Sequence, residues 1–273
     1  MDTASDDHQL FDVTPRPSLP ERILALAADY TRHADLLADH RLTSPAKADQ
    51  LTAPRRSAER LVRLSRDLLH EVTATFPRHN TAPRDAAARL RQLTHLSELA
   101  AAQLDGLQRT LEATGSPTTR STAITAARGL TRLAAEDLAV CAYTVAGELR
   151  LRGIADHSGQ ALPLTATEND ALAAIARGHV ALTDPQRVPH VDARTPMAIE
   201  IVRTLTAQGL IEAVPIPREY DWRDQARLHV TESGRAHLVG LASLPAPTAL
   251  PPARPLAAKP ATAPAAGTAA PRR

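Results

Sequence analysis

"IVRTLTAQGLIEA", residues 201–213, changes its periodicity at a single glycine, and the fold is read outward from that change. On the upstream side Ile199, Val202 and Leu205 recur three apart, the spacing of one buried helix face, with Thr195 and Pro196 suited to the start of a helix over 196–208. Gly209 stops it, because glycine readily takes the left-handed backbone in which helices often end. Beyond the glycine, "LIEAVPI" (210–216) and "QARLHV" (225–230) are strand-like runs. Between them lies "PREYDWRD" (217–224), too long and too charged for a tight two-residue turn, which makes it the expected tip of a hairpin.

The flanks extend the pattern. "VALTDPQRVPHVD" (180–192) alternates apolar and polar residues about a proline-containing turn and predicts two short strands. Before it, Thr167 and Asp170 have the spacing of a helix cap ahead of Leu172, Ile175 and Gly178, which predicts a short helix. After it, "LHVTESGRAHL" (228–238) turns from a strand through Thr231 and Gly234 into a closing helix.

On "IVRTLTAQGLIEA", with Leu205 four residues before Gly209 and Gly-Leu-Ile leading into a strand, and on "LHVTESGRAHL", residues 164–241 resemble a winged helix-turn-helix domain of the MarR-like general type. The resemblance covers under a third of the chain and implies duplex DNA binding. It would lay helix 196–208 in the major groove, with Met197, Glu200, Arg203 and Thr204 on its outer side and Arg194 just before it. The wing would carry Arg218, Arg223 and Arg227, whose forked donors suit phosphates and guanine edges. Two features depart from the family. Residues 179–194, with Pro185 and Pro189, put a β-hairpin where a supporting helix is usual, and residues 158–244 hold eight arginines against ten acids. Tyr220 and Trp222, two of only six aromatic residues, either fold back to pin the hairpin or form a contact surface, since Trp, Tyr and Arg dominate binding hot spots.

The first half of the chain is expected to be helical. "SLPE" (18–21) pairs a cap hydroxyl with a carboxylate three residues on, and Ile23, Leu26, Ala27, Tyr30, Ala34 and Leu37 follow at helical spacing, predicting a helix over about 19–40. A second helix restarts at Ser44 and Pro45, is expected to break or kink at Pro54, and runs to about 75 along Leu61, Leu64, Leu68 and Val72. Pro77 and Pro83 bracket an expected turn. Leu90, Leu93, Ser97, Ala100, Leu104, Leu107 and Leu111 then alternate three and four apart, a coiled-coil-like seam. A fourth helix is expected over about 119–152, ended by Gly153. The expected architecture is mainly α: an antiparallel four-helix bundle over 18–153, then a small α+β winged-helix-like domain over 164–244. Residues 1–17, acidic and proline-bearing, and the Pro/Ala-rich tail 245–273, with four cations and no acid, are expected to be disordered ends.

Charge and chemistry limit the function. In "PRRSAERLVRLSR" (54–66), Arg56, Arg60 and Arg63 share a helix face, a stripe that can meet phosphate or pair with acids on neighbouring helices. Cys141 is the only cysteine and reads as a buried apolar residue; no intrachain disulfide or thiolate cluster is available. Asp29 with His33, Asp67 with His70 and His95 with Glu98 have one-turn spacing, yet none reproduces the Glu and Glu-x-x-His set of metal-binding bundles. The chain has no P-loop, G-x-G-x-x-G, H-E-x-x-H or G-x-S-x-G, so it is expected to be non-enzymatic, without cofactor or metal. Lacking an apolar run of ~20 residues, it is expected to be cytoplasmic and not membrane-bound. Two functions stay open: a homodimeric DNA-binding transcription regulator, and a non-catalytic interaction protein whose winged helix contacts a protein.

Overall fold

Eight α-helices and four strands follow one another in the described residues of the computed structural model, which are 16–39, 48–76, 81–113, 117–154, 162–183, 190–193, 197–216 and 225–243. Both chain ends, and the hairpin tip 217–224, lie outside them. The molecule is mainly helical with a small antiparallel sheet.

Helix α1 (Leu19–Leu37) starts where the Glu21 carboxylate accepts the Ser18 backbone N–H at 2.8 Å. A 3₁₀ turn (Ala48–Leu51) leads into α2 (Thr52–Thr75). Pro54, expected to interrupt this helix, sits in its first turn instead, where a missing N–H costs nothing. For the same reason Pro83 lies inside the first turn of α3 (Thr81–Ala113) rather than bounding it. The single helix expected over 119–152 is two: α4 (Pro117–Thr131) and α5 (Ala134–Leu151), divided at Arg132 and Leu133. Packing explains the break. Ile124 and Ala127 of α4 join Ala100, Leu104 and Leu107 of α3 in a separate cluster, whereas α5 buries Ala139, Ala142 and Val145 in the main core, chiefly against α1 and α3.

Tyr30 is the large aromatic at the centre of this helical layer. Its ring is buried, and its hydroxyl meets Ser65 Oγ of α2 at 3.0 Å and Ser97 Oγ of α3. One phenol thus ties three helices and leaves none of these buried hydroxyls unsatisfied.

The second half runs α6 (Ala166–Ala176), β1 (Val180–Thr183), β2 (His190–Ala193), α7 (Ile199–Ala207), β3 (Ile211–Pro215), β4 (Gln225–Val230) and α8 (Glu232–Ala242). α6 is capped by Thr165 with Glu168, two residues earlier than the Thr167/Asp170 pair expected from the sequence. The sheet order is β2-β1-β4-β3, antiparallel throughout, with Ala181 opposite Arg227 and Ala213 opposite Leu228. The hairpin expected over 179–194 is therefore present as β1 and β2. Gly209 ends α7 with φ 68°, letting Leu210 N–H reach the Leu205 carbonyl at 3.0 Å and Gly209 N–H reach Thr206 at 2.9 Å.

No gap in apolar packing separates the two halves. Ile23, Leu26 and Leu138 share one continuous core with Leu172, Leu205, Leu228 and Val230, and α8 packs on both α1 and α5. At ~1.5–3 kcal/mol for each fully buried leucine or valine, this shared core outweighs any single polar contact across the junction.

Candidate functional site

The arginines singled out from the sequence meet three fates. Arg56, Arg60 and Arg63 are exposed on α2 as expected, but Arg60 reaches Asp29 of α1 at 3.3 Å. Neighbouring Arg55 contacts Glu59 and Asp105 at 3.3 and 3.4 Å, and Arg66 holds Glu98 at 2.6 Å. Of the stripe itself only Arg60 is paired, leaving Arg56 and Arg63 without an acidic partner among the described residues. Such exposed pairs contribute little stability, ~0–1 kcal/mol each, but they lower the positive potential of the face.

On α7, Val202 and Leu205 point into the core while Glu200 and Arg203 are exposed. Thr204 is half-buried and its hydroxyl donates to the Glu200 carbonyl at 3.0 Å. α7 rests chiefly on α6 and β3, while α2 rests on α1 and α3, so no packed neighbour brings the α2 stripe and α7 into one site. Arg194, Arg218, Tyr220, Trp222 and Arg223 lie outside the described residues.

Arg227 has a partner that the sequence did not indicate. Its guanidinium grips Asp35 of α1 at 2.6 and 3.1 Å and donates to the Gly178 carbonyl at 3.4 Å. With Arg227 21% and Asp35 12% exposed, this is a sheltered two-point pair fastening β4 to α1. Expected on the wing as a nucleic-acid contact, the side chain instead holds the sheet to the helical layer.

Around this pair opens a cleft of about 240 Å³ between α1, the α4–α5 turn, the α6–β1 turn and β4. Arg128, Arg132, Arg177 and Arg227 all line it, together with Asp35 and His179. His179 Nε2 lies 3.6 Å from Glu136. Sequence reasoning missed this cluster because its members come from four separate segments of the chain; the one local signal was Arg128 and Arg132, a turn apart. A larger hollow of about 620 Å³ lies beside Phe76, Arg84 and Arg91.

The remaining titratable candidates have structural surroundings. Cys141 is buried, its thiol directed at the Ala86 carbonyl at 3.7 Å, and burial pushes it up to about 12, so it is no nucleophile near neutral pH. His33 is fully buried and meets Ser57 Oγ through Nδ1 at 3.1 Å. His95 stands 3.9 Å from Glu98. Among the described residues no three His, Cys, Asp or Glu side chains converge to hold a metal ion, and no helix is long and apolar enough to cross a membrane.

No family model matches this chain, and neither the curated proteins nor the solved structures contain a match. Its function is therefore argued from its own residues.

Proposed function

We propose that the protein is a non-catalytic, homodimeric regulator that binds duplex DNA through α7 and the β3–β4 hairpin. The observation that carries this reading is the arrangement of α7. It buries Val202 and Leu205, turns Arg203 outward, and ends at Gly209 directly into a hairpin whose second strand pairs with β1. A helix so held and followed by a hairpin supports the winged-helix reading, with Arg203 available to phosphates or base edges.

A second reading is supported by the charge balance. Arg227 is engaged by Asp35, Glu200 stands beside Arg203, and Glu212 on β3 is 54% exposed. A winged helix with few unpaired cations suits a protein partner better than a phosphate backbone.

Fluorescence anisotropy with a labelled random duplex separates the two. DNA binding predicts complexes at about 50 mM salt that weaken at least tenfold by about 200 mM, and a lower affinity with a shallower salt slope in Arg203→Ala. Absence of binding at the lower salt would reject the DNA reading and leave the protein-partner reading standing.

A further inference from the structure

We propose that the cleft between α1, the α4–α5 turn, the α6–β1 turn and β4 is a binding site for a small molecule bearing a phosphate or diphosphate group. The charges carry the proposal. Four guanidinium groups, those of Arg128, Arg132, Arg177 and Arg227, line one hollow of about 240 Å³. Only Arg227 has a carboxylate partner, Asp35, while Glu136 sits on His179. No described acid pairs with Arg128, Arg132 or Arg177, and with Asp35 and Glu136 set against the four arginines about two positive charges remain at the cleft.

Alternative explanations for these arginines are too small. α4 and α6 both end at the cleft, and a cation near a helix C-terminus is favourable; each terminus, however, carries only about half a negative charge. Two termini together offset roughly one charge and leave the cleft positive. Arg128 and Arg132 also stand one turn apart on the same face, where like charges repel. Several arginines elsewhere pair across helices, as in Arg22 with Glu71 and Arg89 with Asp137, while the unpaired Arg56 and Arg63 lie on an exposed helix face and line no hollow with other arginines. At the cleft four arginines line one concavity, where low-dielectric walls focus their potential.

The geometry suits phosphate. Guanidinium groups present parallel N–H donors matched to phosphate oxygens, and several of them converging can neutralise a dianion. The volume falls below the ~300–1,000 Å³ typical of drug-sized pockets, which limits the occupant to a small phosphorylated compound. A ligand here would touch α1, the α4–α5 turn and β4 at once, bridging the helical layer and the sheet beside the Asp35–Arg227 pair. The proposal is independent of whether the protein binds DNA.

The test is isothermal titration of the full chain with inorganic pyrophosphate, orthophosphate and citrate at matched ionic strength. The expected result is saturable one-to-one binding of pyrophosphate, weakened at least about tenfold in Arg132→Gln/Arg177→Gln. Arg109→Gln, an exposed arginine on α3, should leave it unchanged. Both single variants are measured too, with circular dichroism and a thermal transition verifying the fold. Since Arg132 is exposed and Arg177 half-exposed, native spectra are expected. No saturable heat, or equal weakening in Arg109→Gln, would overturn the site. Citrate binding as tightly as pyrophosphate would overturn the phosphate assignment.

Discussion

His33 is ionisable and has no room to ionise. It is fully buried, its Nδ1 meets Ser57, and its Nε2 has no hydrogen-bond partner, so burial lowers it to about 4. His229 on β4 is likewise lowered to about 4, by burial first and then by Arg32 and Arg227, with Asp35 opposing. In the unfolded chain both rings titrate near 6.5. A folded value below the unfolded one means that the unfolded state binds protons first as pH falls. The stability contributed by the neutral rings is therefore complete above about pH 6.5 and is lost between there and about pH 4. At 1.36 kcal/mol per unit, each ring forfeits roughly 2–3 kcal/mol by about pH 4.5, a large share of a typical stability of ~5–15 kcal/mol. Urea midpoints measured between about pH 7 and 4.5 should fall steeply. In His33→Gln, which cannot charge, the fall should be smaller by the share of that ring, with His229 and the likewise lowered His237 still contributing, and an unchanged slope would show that His33 is not a responsible group.

The elements were legible from the sequence wherever a local signal decided them, and Gly209 is the clearest case. Its position after Leu205 marked both the end of α7 and the start of β3, and both are found there. The β1–β2 hairpin was legible from its prolines and valines. What failed to show were events decided by distant partners. Nothing local marks the break at Arg132 and Leu133, because it follows from α4 and α5 packing in different clusters. Asp35 is 192 residues from Arg227, and no spacing rule connects them. The unpaired cleft arginines were hidden for the same reason.

Gly234 is another such case, readable from sequence as a turn signal but fixed by a neighbour. It occupies the first turn of α8, where Thr231 Oγ1 accepts its N–H at 3.2 Å. A Cβ there would stand 2.2 Å from the Leu210 carbonyl oxygen and 2.6 Å from a Val230 methyl. The carbonyl cannot step aside, because it also accepts the Thr231 N–H at 3.0 Å. Helix propensity alone would favour alanine by up to ~1 kcal/mol. The clash should reverse that sign, so Gly234→Ala is expected to destabilise by roughly 1–3 kcal/mol in urea denaturation. Gly147→Ala is the control: it lies in α5 with no atom within 4 Å of the added Cβ, and should be neutral or slightly stabilising in a monomeric state.

At the scale of the molecule, the outer face of α5 and its flanks remains uncovered. Leu133 is 50% exposed, Val140 41%, Leu151 74% and Ile154 60%. Val140 and Gly147 lie seven residues apart on α5, and Leu133 and Ile154 stand at the same spacing just beyond its two ends. The repeat is also self-complementary. In an antiparallel pair of copies related by a two-fold axis near Tyr143 and Thr144, Leu133 would meet Ile154 of the second copy and Val140 would meet Gly147, a branched side chain over an open backbone. A second copy of this chain packed on that face would supply the dimer on which the proposed regulator depends. Val140→Glu would put a charge in the centre of the seam, where burial without a partner costs several kcal/mol. Sedimentation equilibrium at about 100 µM is expected to give a dimer for the natural chain and a monomer for Val140→Glu, with the helical spectrum unchanged because Val140 faces solvent within one protomer. Gly147→Leu, which fills the hole without adding charge, should also weaken the dimer. A natural chain that sediments as a monomer would remove the α5 interface, and with it the two-fold arrangement of α7 helices that a palindromic DNA site requires.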